Sequence, residues 1–130
     1  LQPLISTTDR DKIFLDKINA IIERNMGDAE FKLDTYAPAL GLGRTTFYSK
    51  LKSIVGCSPN EYVRLLRMKR AAELLITSDI NISEAGYQVG INDPFYFSKC
   101  FKNTFGKSPS QYRKSAGKTD MEENTGEENQ

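Results

Sequence analysis

Apolar residues recur at intervals of three and four along most of this chain, the spacing of helices that bury one face. Phe14, Ile18, Ile21 and Ile22 form the first stripe, with Leu15 beside it and Asn25 in line. This predicts a helix capped by Thr8, favoured by Asp9 and Asp11 in its first turn, running to about Met26 and ended by Gly27. Leu33 and Asp34 open a short second helix with Asp34 as its N-cap and Pro38 in its second turn, where proline removes one backbone bond. Gly41 suits a left-handed turn. Phe47, Leu51, Ile54 and Val55 then predict a helix over about Arg44–Val55, ended by Gly56.

Ser58, Pro59 and Glu61 make a capping box for a long helix, Pro59–Thr77, with Tyr62, Val63, Leu66, Ala71, Leu74 and Leu75 as its apolar positions. A short helix after Ser83 carries Gly86, Tyr87 and Val89, and Gly90 repeats the turn glycine. Phe97, Phe101 and Phe105 mark a helix over about 93–105, ended by Gly106. Ser108, Pro109, Gln111 and Tyr112 open a last helix that stops near Ser115. Residues 1–8, with Pro3 and a Ser/Thr cluster, read as a linker or leader; 116–130 are polar, acidic and aperiodic, and read as a disordered tail.

These elements occur twice. Phe47, Lys52, Gly56, Ser58, Pro59 and Tyr62 recur fifty places on as Phe97, Lys102, Gly106, Ser108, Pro109 and Tyr112. Upstream, LDTYAPALGL (33–42) echoes ISEAGYQVGI (82–91) at an offset of 49. Each copy is a short helix, a glycine turn and a longer helix with one apolar and one polar face. This is the helix-turn-helix pattern, with Ala37 and Gly86 as the small residues where the two helices cross. The expected fold is all-α, with about seven helices in two such units, about 33–56 and 82–106, joined by the helix at 59–77.

Charge sharpens this picture. The 130 residues suffice for one modest core, and a net charge of +1 conceals strong segregation. Residues 1–42 carry five basic and seven acidic side chains, 43–118 thirteen basic and five acidic, and 119–130 five acidic and none basic. The duplicated region is the basic one, as a nucleic-acid-binding face requires. The chain contains no histidine, which excludes His-based triads and most zinc sites. Cys57 and Cys100 stand in no metal spacing and are expected as free thiols in a reducing cytoplasm. No phosphate loop or activated nucleophile is evident, so an enzyme, a cofactor, a metal or a small-molecule ligand is not expected. No run of apolar residues reaches the length of a membrane span, and a signal peptide is not expected. The chain begins at Leu1, which we read as excision from something longer or as processing.

Length adds a geometric argument. A helix over Pro59–Thr77 is ~29 Å long at ~1.5 Å per residue. One turn of B-DNA is ~34 Å. A connector of that length suits two recognition helices in successive major grooves, on a site that need not be palindromic.

The residues carry a resemblance as well. Across about 10–115 the chain resembles the AraC/XylS transcriptional regulators, most specifically in ISEAGYQVGINDPFYFSKCFKNTFGKSPSQYRK (82–114) and in the connector SPNEYVRLLRMKRAAELL (58–75). The resemblance implies an AraC-type DNA-binding domain over 9–115, with seven helices, two DNA-reading subdomains, and double-stranded promoter DNA and RNA polymerase as partners. Gly43 stands where a capping serine is common, Ile91 replaces an aromatic, Phe95 replaces a small polar residue, and Pro38 is atypical. The stretch TTFYSKLKSIVGCSPNEYVRLLRMKRAAELL (45–75) looks most like the C-terminal effector of hybrid two-component sensors, in which kinase and receiver domains precede it. A free-standing short activator is the other reading within the family.

Helical face and the family's base-contacting positions together assign Thr45, Tyr48 and Ser49 in the first copy, and Pro94, Phe95, Ser98 and Lys99 in the second, to base reading. Arg44, Lys52, Lys102, Lys107 and Arg113 are assigned to phosphates. Arg67 is assigned an intramolecular role, bracing the two halves. The competing reading is a helical protein–protein adaptor that does not touch DNA, whose mark would be a large exposed apolar patch around Phe95.

Overall fold

The computed structural model describes residues 8–117, in which there are six α-helices, two short 3-10 segments and no strand. The helices are α1 (Asp9–Arg24), α2 (Arg44–Val55), α3 (Pro59–Thr77), α4 (Ile82–Gln88), α5 (Pro94–Phe105) and α6 (Pro109–Ser115). The 3-10 segments, η1 (Leu33–Tyr36) and η2 (Pro38–Leu40), occupy the place of the expected seventh helix. The expectations for the leader (1–8) and the acidic tail (116–130) lie almost wholly outside the described residues. The chain divides into two compact units, the first Leu1–Asn25 with Glu30–Leu66, the second Met26–Ala29 with Arg67–Gln130.

In the first unit, Thr8 Oγ1 accepts from the Asp11 amide at 3.0 Å and starts α1, whose Phe14, Ile18, Ile21 and Ile22 are buried. The helix stops at Arg24, earlier than Gly27 suggested. The Asn25 side-chain amide donates to the Ile21 carbonyl at 2.8 Å and to the Tyr36 hydroxyl at 3.3 Å, closing the last turn. The next element is not the α-helix expected, and Asp34 is not its N-cap, because Lys32 holds that position. Pro38 explains the change. It has no amide hydrogen to give the Asp34 carbonyl, so the Ala37 amide takes that acceptor one residue earlier, at 3.2 Å, and the turn tightens to 3-10. Asp34 pairs instead with Arg44 Nε at 3.2 Å. The core is completed by Leu33, Ala37, Phe47, Leu51, Ile54, Val55, Tyr62 and Val63, with the Phe14 and Phe47 rings edge to face at 6.4 Å. The Tyr62 hydroxyl donates to Asn19 Oδ1 at 2.6 Å, tying α3 to α1, and burial pushes the Tyr62 phenol pKa upward.

The predicted capping box at the start of α3 is present. Ser58 Oγ accepts from the Glu61 amide at 3.2 Å, and Glu61 Oε1 accepts from the Ser58 amide at 3.1 Å. The backbone N–H of Ser58, then its hydroxyl, hold the Glu61 carboxyl below the usual carboxylate range. A depressed folded-state pKa contributes stability above the unfolded value, and that contribution disappears as pH falls through the folded value. The echo supplies a control, since Gln111 makes the same reciprocal bonds with Ser108 in α6 without a charge. Glu61→Gln is therefore expected to preserve the cap at neutral pH and to flatten the loss of stability below about pH 4.5, the ordinary glutamate value. Thermal melts of both proteins across an acid series check this, and parallel pH profiles would count against it.

The second unit is built on the latter half of α3. Asn81 caps α4 two residues ahead of Ser83, through a capping box with Glu84. Gly86 lets α4 and α5 approach, because a Cβ there would lie 2.8 Å from Cγ of the buried Phe97. The Phe101, Phe105 and Tyr112 rings join α5 to α6, with centroids 4.7–5.4 Å apart. The Arg67 guanidinium donates to the Asp28 carbonyl at 2.8 Å, both residues belonging to this unit. Its intramolecular role is thus to hold the segment after α1.

Candidate nucleic-acid interface

The longer helix of each helix-turn-helix is framed by glycine or aspartate at its start and by a left-handed glycine at its end. Gly43 precedes α2 without a side-chain cap, whereas Asp93 Oδ1 accepts from the Phe95 and Tyr96 amides at 3.0 and 3.4 Å at the start of α5. At the far ends the Gly56 and Gly106 amides both return to the carbonyls of Lys52 and Lys102 at 2.8 Å. The two helices are of equal length, twelve residues each.

Phe47 and Leu51 in α2, and Phe97 and Phe101 in α5, face inward and are fully buried. Thr45, Tyr48 and Ser49 are exposed on α2, and Pro94, Phe95 and Lys99 are exposed on α5. Ser98 is not among them. It is 4% exposed and its Oγ has no hydrogen-bond partner. Each residue advances about 100° around a helix. One step from Phe97 stays within the buried arc that runs from Cys100 through Phe97 and Phe101 to Ser98, whereas the two steps to Lys99 leave it. Tyr48, the equivalent in α2, reaches 46% exposure because its long side chain extends past the neighbours that cover a serine.

Of the residues assigned to phosphates, Arg44, Lys52, Lys102 and Lys107 are exposed. Arg44 shares its guanidinium with Asp34, and Lys107 Nζ donates to Ser115 Oγ at 3.1 Å. Arg113 is misassigned. It is 2% exposed, its Nε donates to the Leu75 carbonyl at 2.9 Å, and its Nη2 donates to the Ile80 carbonyl at 2.6 Å and the Ser78 carbonyl at 3.4 Å. It ties α6 to the end of α3 and the link into α4. The echo carried this signal, because fifty places back Arg113 aligns with Val63, a core residue.

Sequence reasoning passed over Thr46 and Ser53 on α2 and Tyr96 and Asn103 on α5, all exposed. Their register could have found them. Thr46, Ser49 and Ser53 stand at i, i+3 and i+7, and Tyr96, Lys99 and Asn103 repeat that stripe fifty places on. Each is the outward line opposite the buried phenylalanines. Among the described residues no cluster of His, Cys, Asp or Glu could hold a metal, and no helix is long and apolar enough to cross a membrane. Cys57 and Cys100 are free, and burial, then the Glu61 charge, raise the Cys57 thiol above its ordinary pKa, so it is not an activated nucleophile.

Residues 36–115, from the first unit's turn through α6, match the helix-turn-helix domain family. The chain belongs to the AraC-type helix-turn-helix family. This AraC-type domain is 43% identical over 109 residues to histidine kinase P4 of Formosa agariphila, a match covering 84% of the chain and 8% of that protein. Among solved structures it is similar to the C-terminal domain of the two-component response regulator yesN from Fusobacterium nucleatum. That likeness has a TM-score of 0.68 and 32% identity, and covers 75% of this chain and 95% of that one. It is similar also to the DNA-binding domain of the global transcriptional factor AdpA in complex with a target DNA, with TM-score 0.70, 27% identity, and 78% and 90% of the two chains covered. The AraC-type domain spans less than half the length of the first curated relatives it matches.

Proposed function

We propose that this chain binds double-stranded promoter DNA sequence-specifically to regulate transcription, with α2 and α5 entering successive major grooves. The observation that carries this is the repeated outward stripe, Thr46/Ser49/Ser53 and Tyr96/Lys99/Asn103, on two equal helices each backed by buried apolar side chains, Phe47 and Leu51 in one and Phe97 and Phe101 in the other. The nineteen-residue α3, about 29 Å long, supports one helical turn of DNA between sub-sites. The base-reading set is Thr45, Tyr48, Ser49, Pro94, Phe95 and Lys99, and the phosphate set is Arg44, Lys52, Lys102 and Lys107. The likeness to a histidine kinase and to a response-regulator C-terminal domain supports an output role in a hybrid two-component system. In that role receiver and kinase domains share the parent polypeptide, RNA polymerase is the neighbour at the promoter, and the domain works in the cytoplasm.

The test is selection of bound duplexes from a random pool, which is expected to enrich two sub-motifs about one helical turn apart. Lys99 and Lys102 then separate reading from holding. Lys99→Ala is expected to cost about 1–3 kcal/mol on the selected site and to relax preference at one or two base pairs. Lys102→Ala is expected to weaken selected and scrambled duplexes equally. With about four phosphates neutralised, the slope of log affinity against log salt is about −4, and Lys102→Ala reduces it by about 1. Uniform weakening by Lys99→Ala would mean that the base-reading face lies elsewhere on α5. A salt-independent affinity would favour the protein–protein adaptor.

A further inference from the structure

The first turns of the two recognition helices differ in chemistry. Arg44, Thr45 and Thr46 open α2, whereas Pro94, Phe95 and Tyr96 open α5. On α5 the Phe95 ring is 71% exposed and Tyr96 is 45% exposed. Asp93 Oδ1 accepts from both of their amides, so the rings stand on a turn formed before any ligand arrives. Burial of Ser98 removes the hydroxyl next along the helix, leaving Lys99, Lys102 and Asn103 as the exposed hydrogen-bonding heads further on. Adjacent exposed rings form a contiguous apolar surface of the kind that marks a contact site. Lys99 and Lys102 lie outward on the same helix and favour a polyanionic occupant over an apolar protein surface.

We infer that the second unit recognises its half of the site through thymine 5-methyl groups packed against Phe95, with Tyr96 and Pro94 beside it, whereas the first unit, whose one exposed aromatic on α2 is Tyr48, reads chiefly by the hydroxyls of Tyr48, Thr45, Thr46 and Ser49. This rests on the DNA-binding reading above. In the major groove the thymine methyl is the apolar feature that separates A·T from the other pairs, and aromatic side chains recognise it by contact. A methyl moved from water to such a contact is worth about fourfold in affinity. Thr45, Thr46 and Ser49 on α2 carry hydroxyls suited to base edges.

Deoxyuridine in place of thymine tests this directly, because it deletes the methyl and keeps the pairing edge. The full chain is titrated against the selected duplex with each thymine replaced in turn. The α5 half is identified as the sub-motif whose preference Lys99→Ala relaxes. One or two replacements there are expected to weaken binding about fourfold each, with smaller effects in the other half. Phe95→Ala, expected to melt like the parent because its ring is exposed, should bind thymine and uracil duplexes equally. If the parent chain tolerates every replacement, or if Phe95→Ala keeps the thymine preference, methyl reading by Phe95 is wrong and the DNA-binding reading stands. If no duplex of any sequence is preferred, the reading beneath it fails too.

Discussion

Arg113→Met is expected to lower the melting temperature of the domain by roughly 10–20 °C. The Arg113 side chain serves carbonyls at Leu75, Ser78 and Ile80 from a fully buried position. Methionine fills much of the volume and offers no donor, so the buried bond to the Leu75 carbonyl and the two part-buried bonds to Ser78 and Ile80 are lost. An unsatisfied buried polar group costs about 1–3 kcal/mol. Counting the buried Leu75 bond in full and the two part-buried ones at less, the loss is about 2–3 kcal/mol, at roughly 4–8 °C per kcal/mol for a domain near this size. Arg113→Lys, which keeps the charge but not the fork of donors, should fall between parent and Arg113→Met. Calorimetry of the three proteins decides the matter. A variant that melts like the parent yet binds DNA more weakly would return Arg113 to the surface and to the phosphate set.

Gly90→Ala carries the second large effect. Gly90 has a φ of +85°, where any L-residue with a Cβ is strained by roughly 1–2 kcal/mol. The added Cβ would also lie 2.8 Å from the Met26 carbonyl oxygen and 2.9 Å from Arg67 Cζ. The first of these atoms is backbone, which cannot turn aside. The combined loss is expected at about 2–4 kcal/mol. Gly41→Ala is the internal control. It has the same left-handed backbone, with a φ of +76°, but nothing within 4 Å of the added carbon, so it should show the strain alone, roughly 1–2 kcal/mol. Chemical denaturation of both variants measures the difference. Equal losses would mean that the close approach to Met26 and Arg67 relaxes freely.

The features legible in the sequence are those set by neighbours along the chain. The stripe Phe14, Ile18, Ile21 and Ile22 is buried as its spacing predicts, because helical periodicity is a property of one segment. The Ser58–Glu61 and Ser108–Gln111 boxes lie where their spacing puts them, because donor and acceptor are three residues apart. The left-handed glycines at 56 and 106 follow for the same reason. Even the 3-10 form of η1 was implicit in Pro38, whose missing amide acts only on the carbonyl four residues before it.

Tertiary structure decided whatever depends on residues far away in the chain. Ser98 and Lys99 are adjacent in sequence and both polar, yet only Lys99 is exposed, because the burial of a short neutral side chain depends on what packs beside that arc of α5. Arg113 looks like its exposed neighbour Lys114, but the acceptors that make a buried guanidinium tolerable lie 33–38 residues earlier. Gly90 reads as another turn glycine until the Met26 carbonyl is found against it. Local rules act through a few covalent bonds and can be read from spacing. Burial and satisfaction of a polar group depend on partners that only the folded chain brings within reach.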